Sequence, residues 1–179
     1  MSKALVIIDI QNDYFKGGAM ELEDPLAASE NAKKLLEKFR NDKEAIVHIQ
    51  HRAASPDAGF FLPDTKGAEI HDNVKPLSGE KVITKHFPNA FRETDLLDHL
   101  QSENITELVF VGMMTHMCID ASVRAAKDLG FKCTVIADAC ATRTLEINNK
   151  QVKAADVQNA FIAALDYFYA EIKNTAELL

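Results

Sequence analysis

Short apolar runs rich in β-branched residues alternate with longer amphipathic stretches along this chain. The apolar runs predict five buried strands, at residues 4–9, 45–50, 80–85, 107–112 and 131–138. The amphipathic stretches predict helices at 25–40, 94–103, 118–130 and 151–173. Because strands that alternate with helices indicate βαβ units, we expect an α/β fold of three layers, α/β/α, with a mostly parallel sheet between helices.

The segment 51–80 differs from the rest because it has no clear period and holds three prolines and three glycines. A loop of this length in a compact domain commonly forms a lid or a binding wall, so we expect it to influence ligand specificity. The whole chain of 179 residues has the length of one domain, and we treat 1–179 as a single unit.

The composition and charge of the chain argue against some classes of binding partner. The formal net charge is -7 and the basic residues are scattered, which argues against a nucleic-acid partner. The first apolar run stops at Asp9, too early for a signal peptide or a membrane span. The three cysteines, Cys118, Cys133 and Cys140, follow neither a disulfide framework nor a zinc spacing. We therefore expect free thiols and a cytoplasmic protein without membrane contact.

Polar residues follow the predicted strands at the points where the strands end. Asp9 ends the first strand, Gln50 and His51 end the second, Lys85 ends the third, and the fourth leads towards Cys118. In open parallel sheets, ligands bind beyond the carboxyl ends of the strands. The periodicity predicts that these residues share one edge, although it does not show that they touch.

Together, an acid, a lysine and a thiol can perform acyl transfer through a thioester. Cys118 lies near a helix start, where the helix dipole and a nearby lysine are expected to lower its pKa. Asp9 is a candidate proton acceptor and donor, and backbone N–H groups near Cys118 are candidates to bind an oxyanion. The alternatives are a buried inert cysteine, a structurally paired Asp9 and a solvated Lys85.

Other site types have less support in the sequence. No glycine-rich nucleotide-binding motif follows the first strand. His48 and His51 are three residues apart in a strand, so they point to opposite faces and are poor partners for one metal ion. Several aromatic residues follow the first three strands and are candidates to wall an apolar pocket: Phe15, Phe60, Phe61, Phe87 and Phe91.

Four segments, in order, carry a family resemblance: LVIIDIQNDYF, VITKHFPNAF, GMMTHMCIDASVRAA and DACAT. The chain resembles the isochorismatase-like cysteine hydrolases, which include nicotinamidases, N-carbamoylsarcosine amidase and ureide-type amidohydrolases. The resemblance implies a six-stranded sheet, a homo-oligomer (dimer or tetramer) and the catalytic triad Asp9, Lys85 and Cys118. It also implies a cis peptide at Met113–Met114, which would direct the N–H of Met114, beside that of Cys118, towards an oxyanion.

One departure from the family pattern bears on cofactors. Nicotinamidases carry an Asp-x-His metal motif after the second strand, and here Ile49 stands where the aspartate would be. We therefore expect no metal and no other cofactor, and we do not expect nicotinamide to be the natural substrate. Gln50 stands where isochorismatase-type enzymes place a substrate-binding glutamine. The candidate substrate contacts are Phe15, Gln50, Phe60 and His116.

The leading hypothesis is a metal-independent hydrolase that cleaves the C–N bond of a small amide or ureide. One alternative is hydrolysis of the vinyl ether of an isochorismate-like substrate, in which Asp9 donates a proton and the thiol is dispensable. The others are a nicotinamidase-like amidase and a binding protein that has kept the fold without catalysis. The motifs do not name the natural substrate.

Overall fold

The computed structural model describes residues 2–179 and contains a six-stranded parallel sheet. Its strands are β1 (Ser2–Ile8), β2 (Ala45–His51), β3 (Lys81–Lys85), β4 (Ile105–Met113), β5 (Lys132–Ala141) and β8 (Glu171–Lys173). Their order across the sheet is β3-β2-β1-β4-β5-β8. Two further strands, β6 (Leu145–Ile147) and β7 (Lys150–Val152), form a separate antiparallel hairpin.

Helices cover both faces of the sheet. They are α1 (Pro25–Asp42), α2 (Leu96–Ser102), α3 (Asp120–Asp128) and α4 (Ala154–Asp166). Strand β1 shows how the layers form, since Leu5 and Ile7 pack into the core with α1, whereas Val6 and Ile8 pack into the core with the other three helices. The predicted three-layer α/β/α architecture is therefore confirmed. Within residues 2–179, no helix has both the length and the apolar character needed to cross a bilayer.

The predicted helix at 151–173 is wrong at both ends. Residues Lys150–Val152 belong to the hairpin, and α4 begins only at Ala154 and stops at Asp166. The chain then turns, and Glu171–Lys173 pairs with residues 134–136 of β5 as the sixth strand. Ile172 has the spacing of the helical apolar stripe, but it packs against the core from a strand.

Segment 51–80 contains three short 3-10 turns, Pro56–Ala58, Lys66–Ala68 and Asp72–Val74, rather than longer elements. Gln11 anchors the segment, because it forms an isolated bridge with Ile70 and its side-chain amide donates to the carbonyl of Ala68 over 2.8 Å. The loop is thus held against the turn that follows β1, at the carboxyl edge of the sheet.

Gly112, near the end of β4, allows the chain to approach the end of β1 closely. Its φ is 138°, and a Cβ atom there would collide with the main chain of Ile8. We expect Gly112→Ala to lower the free energy of unfolding by about 3 kcal/mol, because neither backbone can move without disturbing the sheet. Urea unfolding followed by circular dichroism measures this change.

Gly130 provides the matched control for this prediction. Its φ is also positive, at 94°, but a Cβ atom there would meet nothing within 4 Å. Gly130→Ala should therefore cost only the backbone penalty, about 1 kcal/mol. Equal losses in the two variants would show that the approach to Ile8 is not the reason for glycine at position 112.

Candidate active site

Three predicted residues, Asp9, Lys85 and Cys118, meet at the carboxyl edge of the sheet. Asp9 directly follows β1 with a left-handed backbone (φ 52°), and Lys85 is the last residue of β3. Cys118 lies in a π-helical turn, Thr115–Ile119, that leads into α3. All three are buried, with exposures of 0% for Asp9 and Lys85 and 5% for Cys118. Such burial of charged groups requires close pairing.

The ammonium group of Lys85 is the centre of the cluster. Its Nζ atom lies 2.7 Å from Asp9 Oδ2, 3.2 Å from Cys118 Sγ and 2.9 Å from His51 Nδ1. It also donates to the carbonyl of Phe87 over 3.1 Å. The second carboxylate oxygen of Asp9, Oδ1, has no hydrogen-bond partner among residues 2–179. Lys85 therefore contacts both the acid and the thiol, and one acid oxygen stays free.

The expectation of a lowered pKa for Cys118 is wrong for the free protein. Burial raises the pKa of the thiol far above its usual range, and the Asp9 carboxylate raises it further, while Lys85 opposes the shift only in part. Burial also lowers the pKa of Lys85, but the Asp9 carboxylate, 2.7 Å away, opposes it, and the pKa of Lys85 is raised. The resting site therefore holds a protonated thiol beside an ammonium ion.

The nucleophile turn is fixed by contacts to neighbouring elements. The Met113–Met114 peptide is cis, as the resemblance implied, and the side chain of Met114 is buried. The hydroxyl of Thr115 lies 2.6 Å from Oε1 of Gln158 on α4 and 3.2 Å from the carbonyl of Ala141. These contacts join the turn to β5 and α4, and they limit where the backbone N–H groups near Cys118 can point.

Three of the four candidate substrate contacts, Phe15, Gln50 and His116, have partners within the protein. Phe15 stacks on the ring of His71 with 3.7 Å between centroids, and Gln50 donates to the carbonyl of Ala68 over 2.7 Å. His116 Nδ1 lies 2.6 Å from the hydroxyl of Thr142, on the side of β5. Each of these side chains has a partner within the protein, so contact with substrate stays a prediction.

Phe60, the fourth candidate, belongs to an aromatic cluster with Tyr14 and Phe61. The ring centroid of Phe61 lies 4.6 Å from that of Tyr14 and 4.9 Å from that of Phe60. Burial raises the pKa of Tyr14, and the nearby Cys118 and Asp9 raise it further. Sequence reasoning assigned no role to Tyr14, although it directly precedes Phe15 in the first motif.

The other predicted aromatic residues lie apart from this cluster. Phe91 packs against Phe131, and Phe87 lies under the guanidinium group of Arg92 at 3.7 Å. The five loop phenylalanines therefore do not form one wall; Phe60 and Phe61 form a separate cluster with Tyr14.

His51, like Tyr14, is a residue of this site to which sequence reasoning assigned no role. Its backbone N–H and carbonyl are both bound by the side-chain amide of Gln11, each over 2.8 Å. The ring centroid lies 5.8 Å from that of Phe61. Burial lowers the pKa of His51 to about 4, and the Lys85 ammonium adds to the shift. The strand register contained the signal, because His51 and Lys85 are direct neighbours on β2 and β3.

Three observations bear on metal binding. Side-chain atoms of Asp9, His51 and Cys118 lie within 4.8 Å of one another, which is a spacing that can hold an ion, but Lys85 Nζ is in contact with all three. Ile49, at the position of the missing aspartate, is buried in the core. His48 points away, with Nε2 2.9 Å from Glu80. The ammonium group thus takes the position that a cation would need.

Three comparisons with known proteins agree on one family. The isochorismatase domain model matches residues 3–177. The isochorismatase family protein YddQ of Bacillus subtilis is 52% identical over 100% of this chain and 99% of its own length. A crystal structure of an isochorismatase-type hydrolase from Oleispira antarctica is 47% identical, with a TM-score of 0.94 over 99% of this chain and 95% of its own.

A third relative has a named reaction. Maleamate amidohydrolase of Pseudomonas putida is 30% identical over 78% of this chain and 72% of its own length. The six-stranded sheet, the cis peptide at Met113–Met114 and the contacts of Lys85 with Asp9 and Cys118 agree with what the resemblance implied. The chain belongs to the isochorismatase family of hydrolases.

Proposed function

We propose that the protein hydrolyses the C–N bond of a small amide or ureide, without a metal ion, through a thioester on Cys118. The observation that carries the proposal is the contact of one buried ammonium group with both a carboxylate and a thiol, 2.7 Å and 3.2 Å away. The named reaction of one relative supports the proposal, since the similar protein from Pseudomonas putida is a maleamate amidohydrolase.

The first half-reaction forms the thioester. Asp9 takes the proton of the Cys118 thiol as the sulfur attacks the carbonyl carbon, so that the high resting pKa of the thiol is overcome only when substrate is bound. Lys85 stabilises the thiolate, and the N–H groups of Met114 and Cys118 bind the oxyanion. The C–N bond then breaks, and Asp9 passes its proton to the departing nitrogen.

The second half-reaction consumes one water molecule. Asp9, again a carboxylate, accepts a proton from the water as its oxygen attacks the thioester carbon. The C–S bond breaks, the acid product leaves, and the thiolate regains the proton from Asp9. The free oxygen Oδ1 of Asp9 suits this role, because it has no hydrogen bond to any residue from 2 to 179 that would compete for the proton.

Ammonia release from a panel of small amides and ureides, including maleamate, tests the reaction class. We expect release from at least one compound, and we expect preincubation with a strong chelator to leave the rate unchanged. The vinyl ether of isochorismate is included as the competing substrate. Pyruvate release from isochorismate with no ammonia from any amide would contradict the proposal, and loss of activity with the chelator would contradict its metal independence.

A small-molecule substrate and a homo-oligomer, dimer or tetramer, remain predictions for this chain. Light scattering of the purified protein at several concentrations measures the number of subunits. The aromatic cluster of Tyr14, Phe60 and Phe61 suits a substrate with an apolar or planar part next to its amide group.

A further inference from the structure

The proton on the ring of His51 has only one possible position. The pKa of Lys85 is raised, so its Nζ is an ammonium group that can donate hydrogen bonds but cannot accept them. His51 Nδ1, 2.9 Å from this Nζ, must therefore be the acceptor. Because the pKa of His51 is lowered to about 4, the ring is neutral at ordinary pH, and its single proton is on Nε2.

This Nε2–H group is a donor without a protein acceptor. Among residues 2–179 it makes no hydrogen bond, and it is not one of the fully buried polar atoms that lack a partner, so part of its surface is exposed. Lys85 contacts Nδ1 and so orients the ring, while Gln11 holds the backbone of His51 in place. The donor is thus oriented in advance of ligand binding.

The position of this donor relative to the thiol sets what it can bind. A ring nitrogen of His51 lies within 4.8 Å of Cys118 Sγ. A carbonyl attacked by that sulfur would place the next functional group of a small substrate near the imidazole, beside Phe61. A neutral N–H donor on this ring pairs with an oxygen acceptor.

We propose that His51 is a substrate-binding residue, whose Nε2–H binds a second carbonyl or carboxylate oxygen on the amide that Cys118 attacks. The inference rests on the proposed function, which it extends from small amides in general to amides that carry a further oxygen acceptor. Substrates without this acceptor leave a preoriented donor unpaired, and they bind less tightly for that reason.

The tautomer is tested first and needs no substrate. In protein labelled with ¹⁵N-histidine at pH 7, two-bond ¹H–¹⁵N spectra should show His51 protonated on Nε2 and unprotonated on Nδ1. The signal lost in His51→Asn identifies His51 among the six histidines. A proton on Nδ1, or a doubly protonated ring, would overturn the proposal whatever reaction the protein catalyses.

Binding is tested in the Cys118→Ala background, where no turnover occurs, by calorimetry with succinamate and butyramide. The two probes have chains of equal length, and only succinamate ends in a carboxylate. We expect succinamate to bind at least about tenfold more tightly, a difference of one well-placed hydrogen bond. No binding of succinamate, or equal binding of the two probes, would overturn the oxygen-acceptor requirement.

Two substitutions of His51 test the contribution of the Nε2–H donor separately from that of the rest of the ring. Gln places an amide nitrogen near the Nε2 position, whereas the shorter Asn can place its carbonyl oxygen near the Nδ1 position but its NH2 group does not reach the Nε2 position. We expect His51→Gln to keep the preference for succinamate and His51→Asn to lose it, while His99→Phe, which changes another half-buried histidine, on α2, leaves it intact. A preference that survives in His51→Asn would assign succinamate binding to another group.

The failure of this inference differs from failure of the proposed function. If ammonia is never released but the tautomer and the succinamate preference are as expected, His51 binds ligands in a protein with another reaction. If ammonia release occurs and depends on Cys118 while the preference is absent, the hydrolase proposal stands and the role of His51 is wrong. Circular dichroism confirms folding of each variant, and the wild-type tautomer decides the first step even if one variant is unfolded.

Discussion

Replacing Cys118 with alanine should abolish ammonia release from every amide that the wild-type protein hydrolyses. The Cys118 sulfur lies 3.2 Å from Lys85 Nζ, and no covalent intermediate forms without it. We expect kcat/KM to fall by roughly a thousandfold or more, equivalent to about 4 kcal/mol of transition-state stabilisation. Cys118→Ser should also lose most activity, because a hydroxyl is far harder to ionise than a thiol.

Cys133 provides the matched control for the loss of a buried thiol. Its side chain is also buried, in β5, and its nearest polar contact is the carbonyl of Phe131, 3.6 Å away. Cys133→Ala should retain activity close to that of the wild type, with some loss of stability from the smaller side chain. Full ammonia release by Cys118→Ala would refute the thioester, and retained pyruvate release from isochorismate would favour the vinyl-ether reaction.

The meeting of the three polar residues could be predicted from sequence because it depends on strand ends. Asp9 and Lys85 each end an apolar run, and parallel strands bring such ends to one edge of the sheet. The contact of His51 with Lys85 depends in addition on the strand register, because these two residues are paired on β2 and β3. Side chains paired across neighbouring strands lie on the same face, so the observed register accounts for this contact.

The ionisation of Cys118 could not be read from the sequence. The motifs reveal that a lysine and an acid are near, but they do not reveal that the thiol is 5% exposed. Burial is the largest cause of its raised pKa, and it outweighs the charge of Lys85. Slow alkylation of the resting protein near neutral pH is therefore expected, and it would not be evidence against catalysis.

The helix predicted at the end of the chain, 151–173, was wrong at its boundaries for a different reason. Ile172 has the spacing expected for the apolar stripe of a helix, but a single apolar residue also satisfies a strand. The free edge of β5 decides between them, because residues 134–136 have unpaired backbone groups that Glu171–Lys173 can fill. The positions of Phe60 and Phe61 could not be predicted either, since they depend on how segment 51–80 packs on Gln11.

Asp9 and Lys85 should have opposite effects on the reactivity of the thiol, although loss of either should stop hydrolysis. The Asp9 carboxylate raises the pKa of Cys118, so Asp9→Asn should lower it and increase the thiolate fraction at a given pH. Lys85 lowers the pKa of the same thiol, so Lys85→Met should raise it further and decrease the thiolate fraction. The reactive species towards iodoacetamide is the thiolate in both cases.

We expect Asp9→Asn to be alkylated at Cys118 about tenfold faster than the wild type, and Lys85→Met about tenfold more slowly, since tenfold corresponds to one unit of pKa. Mass spectrometry of the Cys118 peptide between pH 7 and 10 measures the rates, with the Cys133 and Cys140 peptides as internal controls. Both variants leave a buried charge without its partner, so circular dichroism must first confirm that they are folded.

The opposite signs distinguish catalysis from a merely structural ion pair. If Asp9 and Lys85 acted only as a buried pair that holds β1 and β3 together, either substitution would loosen the site and increase alkylation in the same direction. A protein that is more reactive towards iodoacetamide yet fails to release ammonia, as expected for Asp9→Asn, shows that a thiolate alone is insufficient. The missing function is then proton transfer by Asp9, to the departing nitrogen and from the attacking water.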